Sequence, residues 1–244
     1  AAGLAITTYM TESYALGTAS RSYAVGEPPE PWPAWNACLR HLRRDGAPGW
    51  GTLFCRYVTN DKEPGAAEDF REEGQHVAVQ HRNRAIVAYG LTPRLRPVQS
   101  CKLSVRLLGV SDRTEIWCGD RRADAFPMRV EPGEPVVIAE GDAYVALVPL
   151  EPSDMASGAP IELDVRDGQL TLEIYNYRGP AKSFWEHRSQ SGPFYQGNVR
   201  NAFIVEAAER AAFAGVEACR RHVAAARITD SVDDEYVRVI AYAS

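Results

Sequence analysis

The feature that most restricts the fold is an alternation of apolar and polar residues in the middle of the chain. From Lys102 to Leu108 the apolar Leu103, Val105 and Leu107 are spaced by Lys102, Ser104 and Arg106. Successive side chains of a strand point to opposite faces, so a period of two predicts a strand with one buried face. Residues 161–165 and 170–175 bracket Asp167-Gly168, a pair that supplies the positive φ of a tight hairpin turn. Further β-compatible runs lie at 5–10, 20–25, 52–58, 76–80, 85–89, 115–118, 135–139, 143–147 and 235–243. Residues 35–44 fit a helical turn or a strand. Many short strands parted by turn residues predict an all-β fold, an antiparallel β-sandwich, and not βαβ units.

One segment departs from that period. From Asn198 to about Ala226, Phe203, Ile204, Ala207, Ala208, Ala211, Val216 and Val223 form a stripe at helical spacing. Asn198 is a plausible N-cap. Glu206 with Arg210, and Glu217 with Arg221, are i,i+4 pairs suited to the wet side. The spacing predicts one long C-terminal helix over 198–226.

Composition excludes some classes. The chain has 244 residues and a net charge of −5, so nucleic acid and anionic membrane are not expected partners. No apolar run approaches the roughly 20 residues of a membrane span. Ala1-Ala2-Gly3 lacks an initiator Met and a basic region, so no signal peptide is read, and the start is taken as a processed end or a fragment. The 244 residues are expected to form a single β-sandwich domain, as a fragment or processed subunit of a larger protein. The five cysteines form no CxxC pair and are read as buried small hydrophobes. Cys101 and Cys118, flanking an expected hairpin, are the pair to check for a disulfide in an exported protein.

Three stretches carry a resemblance: residues 8–18 (TYMTESYALGT), 76–87 (HVAVQHRNRAIV) and 140–150 (EGDAYVALVPL). Their order resembles the β-supersandwich of the heparinase-like and hyaluronate-lyase-like polysaccharide lyases. In that family an (α/α) toroid supplies the catalytic Tyr and much of the substrate groove. No repeated pairs of amphipathic helices are present in this sequence. The resemblance therefore implies a sandwich portion whose catalytic half lies on another polypeptide segment.

Candidate site residues follow from chemistry. His76 and His81 are catalytic candidates, although their odd spacing puts them on opposite faces of one regular strand. Surface or structural roles are the plainer assignment for both. Tyr14, in the first resembling stretch, is a candidate acid or base near Arg21; core packing is its plainer role. Cys38 and His41 share a face if helical, but two ligands do not make a zinc site. No metal and no cofactor is implied. Trp32 and Trp35, in a Pro-rich stretch, and Arg178, Trp185, His187 and Arg188, in an aromatic and basic stretch, are candidate substrate-binding residues. Arg pairs bidentately with carboxylates, which suits an acidic sugar, while Trp and Arg equally anchor protein interfaces.

The expected function is the sandwich portion of a carbohydrate-active enzyme, lyase or hydrolase, acting on polysaccharide or oligosaccharide. The alternative is a non-catalytic module that binds glycan or docks onto a partner. The expected partners are a second polypeptide segment or further copies of the chain, and a secreted or periplasmic location is favoured.

Overall fold

The computed structural model describes residues 5–20, 37–41, 52–61, 75–91, 97–152, 159–182, 199–232 and 238–244. Most of them lie in antiparallel sheets. An eight-stranded sheet runs in the order β1 (Ala5–Met10), β2 (Tyr14–Ser20), β3 (Ala37–His41), β4 (Thr52–Thr59), β7 (Val98–Leu108), β14 (Gln169–Lys182), β13 (Ile161–Arg166) and β10 (Met128–Val130). A seven-stranded sheet runs β5 (Gln75–His81), β6 (Arg84–Leu91), β15 (Val199–Glu209), β12 (Ala143–Pro149), β11 (Val136–Glu140), β8 (Glu115–Cys118) and β9 (Arg121–Arg122). A separate hairpin joins β16 (Arg227–Val232) to β17 (Arg238–Ala243). Among the described residues α1 (Val216–Ala224) is the one α-helix.

The alternation at 102–108 is a half-buried strand: Leu103, Val105 and Leu107 sit in the core. The Asp167-Gly168 turn forms as the sequence predicts. Arg166 faces Gln169, with Asp167 at φ +50° and Gly168 at +73°. One buried cluster takes side chains from both large sheets, Leu16, Leu53, Leu103 and Leu172 from one and Val87, Ile138, Leu147 and Phe203 from the other.

The long helix over 198–226 is not formed. Residues 199–209 are β15, a short 3-10 turn covers Arg210–Ala212, and only the nine residues of α1 are α-helical. The cause is burial on both faces. Phe203, Val205 and Ala207 join the cluster shared by the large sheets, while Ala202 and Ile204 join a second cluster on the opposite face. A strand that is apolar on both sides shows no period of two, and a continuous apolar run fits helix and strand alike. Asn198, the expected N-cap, lies outside the described residues.

That second cluster explains α1. The helix lays Cys219 and Val223 on Val137, Ala139, Tyr144 and Ala146, and Ile228, Ile240 and Tyr242 of the β16–β17 hairpin pack beside it. Helix and hairpin thus cap the outer face of the seven-stranded sheet. Glu217 in the first turn and Arg221 and His222 in the last suit the helix dipole. Arg220 pegs the helix down: its guanidinium lies 4.2 Å from the Trp117 ring and donates to the Gly119 carbonyl at 2.8 and 3.0 Å.

Two smaller expectations are also corrected. Cys101 and Cys118 do not flank a hairpin: they lie on β7 and β8, in different sheets, and both are buried thiols. Residues 37–41 are a strand and not a helical turn, with Cys38 and His41 at positions of opposite parity.

Candidate functional site

The polar face of the eight-stranded sheet is built from β7 and β14. Thr171, Glu173 and Tyr175 face Arg106, Ser104 and Lys102 across the ladder. The register then slips by one residue between Tyr175 and Tyr177, leaving Asn176 as a bulge. The bulge reverses the parity of the strand. Tyr177 turns into the core, and Arg178 joins Tyr175 on the outer face.

Lys102 is the centre of this face. Its Nζ lies 2.7 Å from Glu173 Oε2 and 2.9 Å from Asp61 Oδ1, and donates to the Tyr175 hydroxyl at 3.1 Å. Asp61 is presented by a turn in which Asn60 and Asp61 both take left-handed backbone, φ +57° and +53°, which short polar side chains tolerate. Burial disfavours the charged amine, but hydrogen bonding to Glu173 and its charge outweigh that and hold Lys102 above the usual lysine range. The Tyr175 ring lies between two cations, Lys102 Nζ at 5.0 Å and the Arg178 guanidinium at 5.1 Å from its centroid. Arg178 is exposed and its Nη1 donates to both Glu162 oxygens, at 2.8 and 2.9 Å. The Tyr175 ring itself is buried, so what the patch offers is the exposed Arg178 guanidinium, whose donors not used by Glu162 can pair with a carboxylate or a sugar hydroxyl.

A second cluster lies under the cap. Glu206, on the outer face of β15, is only 5% exposed. Tyr242 of β17 donates to its Oε2 at 2.5 Å, and the Ser244 hydroxyl donates to Oε1 at 3.2 Å. His222 Nε2 of α1 lies 3.1 Å from Oε1, and Arg84 Nε of β6 donates to the same oxygen at 3.3 Å. Burial pushes the carboxyl up, but the bonds from Tyr242 and His222 and the Arg84 charge pull it below the usual carboxylate range. Burial and the Glu206 bond raise Tyr242 in turn. One carboxylate therefore ties β6, α1 and β17 to β15. The expected exposed pairing of Glu206 with Arg210 does not occur, because β15 turns Glu206 under the cap. Arg210 instead donates to the Gly141 carbonyl at 3.1 Å.

The other sequence candidates are dispersed. Tyr14 is buried and donates to the Ala207 carbonyl at 3.1 Å, joining β2 to β15 across the core. Burial raises its phenol further, followed by the nearby Tyr9 and Glu209. His76 and His81 both lie on β5, at positions of opposite parity, and His81 is exposed at the hairpin end. Trp32, Trp35, Trp185, His187 and Arg188 lie outside the described residues. Of the nine named candidates, the Lys102 patch holds Arg178 alone. Among the described residues no three His, Cys, Asp or Glu side chains come together in a way that could hold a metal ion. None of their helices is long and apolar enough to cross a membrane.

Sequence reasoning missed Glu206. Its partners are distant in sequence, but one signal was available: an acid inside the run Ala202-Phe203-Ile204-Val205-Glu206-Ala207. A carboxylate within a buried apolar run must be paired. Compared with known proteins, the chain matches no family model and no curated protein.

Proposed function

We propose that this chain is the β-sandwich portion of a carbohydrate-active protein. It holds polysaccharide or oligosaccharide, while groups of lyase or hydrolase type come from another polypeptide segment. The observation that carries this reading is the Arg178–Tyr175–Lys102 patch on the polar face of the eight-stranded sheet. Two further features support it. The two large sheets feed one core, and the stretches that resemble polysaccharide-lyase sandwiches fall on the strand pairs β1–β2 and β5–β6 and, for residues 140–150, on the turn into β12 and that strand.

Burial pushes the Cys118 and Cys219 thiols up to about 12, and Tyr14 and Tyr242 are raised as well. Asp61, Glu134 and Glu206 are lowered and Lys102 is raised. Each of these groups is fixed in its neutral-pH charge state, whereas a general acid or base works best with a pKa near the operating pH. The exposed Arg178 favours an acidic sugar.

The test is calorimetric binding of acidic and neutral oligosaccharides to the 244-residue chain, with a parallel assay for new unsaturated or reducing ends. Binding of acidic oligosaccharide that Arg178→Ala weakens about tenfold, without turnover, is the expected result. Turnover by the chain itself would place the catalytic set within it, and no binding to any glycan would end the carbohydrate reading. A second reading, a partner-docking module, is favoured by Val77 and Val79, which are exposed on β5.

A further inference from the structure

The two ends of the large sheets differ in how their last strands are protected. An edge strand presents unpaired N–H and C=O groups, and proteins blunt it with short length, charge or proline. At one end the sheets finish in β9, two residues and both Arg, and in β10, three residues including Arg129. At the other end, among the described residues, they finish in β1 and β5, of six and seven residues, with no Lys, Arg, Asp, Glu or Pro in either. Between these two, β5 carries the more apolar outer face. Val77 is 48% exposed and Val79 63%, side by side on the face that holds Ile86 and Ala88 of β6.

The sequence of β5 is nearly its own reverse. Gln75-His76-Val77-Ala78-Val79-Gln80-His81, read antiparallel to itself about Ala78, sets Val77 opposite Val79 and His76 opposite Gln80. The backbone agrees with that centre. His81 faces Arg84 across the two-residue turn Arg82-Asn83, so the odd-numbered residues of β5 exchange hydrogen bonds with β6. His76, Ala78 and Gln80 then direct their N–H and C=O groups away from β6, to the edge that no described strand pairs. A two-fold axis at Ala78 pairs these same residues with one another. Such an interface is isologous: the patch on one copy is complementary to the same patch on the other. Each exposed Val meets a Val across the strand pair, a contact that stabilises sheets.

We propose that two copies of this chain associate through β5, antiparallel about Ala78, joining their seven-stranded sheets into one continuous sheet. The inference goes beyond the glycan reading and does not depend on it, because the Arg178 patch lies on the other sheet.

Sedimentation velocity of the chain over a wide concentration range tests it. The expected result is a concentration-dependent dimer. Val79→Lys places two cations against the partner's valines and should raise the dissociation constant at least about tenfold. Val239→Lys, at another exposed valine, should leave it unchanged, with far-UV circular dichroism confirming that both variants fold. Hydrogen exchange of the unmodified chain gives a reading free of mutation: the amides of His76, Ala78 and Gln80 should slow as concentration rises. A monomer at every concentration, or a dimer that Val79→Lys leaves intact and whose β5 amides do not slow, would overturn the proposal.

Discussion

In the β13–β14 hairpin burial alternates residue by residue. Leu170, Leu172 and Ile174 are inside, while Thr171 and Glu173 face outward. Across Asn201–Ala207 of β15 every residue is buried. The hairpin belongs to a sheet with one wet face. β15 lies in the middle of a sheet whose second face is capped by α1 and the β16–β17 hairpin. Strand periodicity is therefore readable only where one face meets water. A strand covered on both sides needs something else to fix its cap in place, and here a buried carboxylate does so.

The largest expected effects fall on the two strands themselves. On β15 two adjacent truncations should both be severe: Phe203→Ala costs about 3–5 kcal/mol and Ile204→Ala about 2–5 kcal/mol in urea unfolding. On β14 the adjacent pair should split, with Leu172→Ala costing about 2–5 kcal/mol and Thr171→Ala within about 0.5 kcal/mol of the parent. A mild Ile204→Ala would mean that the outer face of β15 is not covered.

Next in size is the clamp itself. Glu206→Ala leaves Tyr242 and Arg84 without their shared acceptor and should cost about 3 kcal/mol. Glu206→Gln sharpens this through pH. Glu206 ionises more readily in the fold than in the unfolded chain, where its value is about 4.3. Its contribution is therefore complete above that value and is lost as pH falls through the lower folded one. The stability gap between parent and Glu206→Gln should be largest near pH 7 and shrink in acid; a gap that does not depend on pH would remove the ionised clamp from the account. The smaller loss at the clamp is Tyr242→Phe, which deletes one donor to the carboxylate and should cost about 1.5–3 kcal/mol, read by thermal unfolding.

The same contrast explains what the sequence disclosed. β7, the β13–β14 hairpin and the strands at 52–59, 75–81 and 84–91 were legible because polar and apolar residues alternate or turn residues mark their ends. β15 was not, because Ala202-Phe203-Ile204-Val205 satisfies a helical stripe as well as a doubly buried strand. Arg178 was legible as a candidate by its chemistry. Its neighbours Tyr175 and Lys102 were not, because the bulge at Asn176 that brings Arg178 onto their face is a property of pairing with β7. The Glu206 clamp joins positions from 84 to 244, and such contacts leave no local pattern.

The most direct test of the capped sheet is residue-resolved hydrogen exchange with NMR chemical shifts over 199–224. Strand-like shifts are expected for Val199–Glu209, with amides among the slowest in the chain. Helical shifts should begin only at Val216, and exchange in α1 should quicken in Glu206→Gln while β15 stays protected. Helical shifts running without a break from 199 through 224, or a cap whose exchange ignores Glu206, would contradict it.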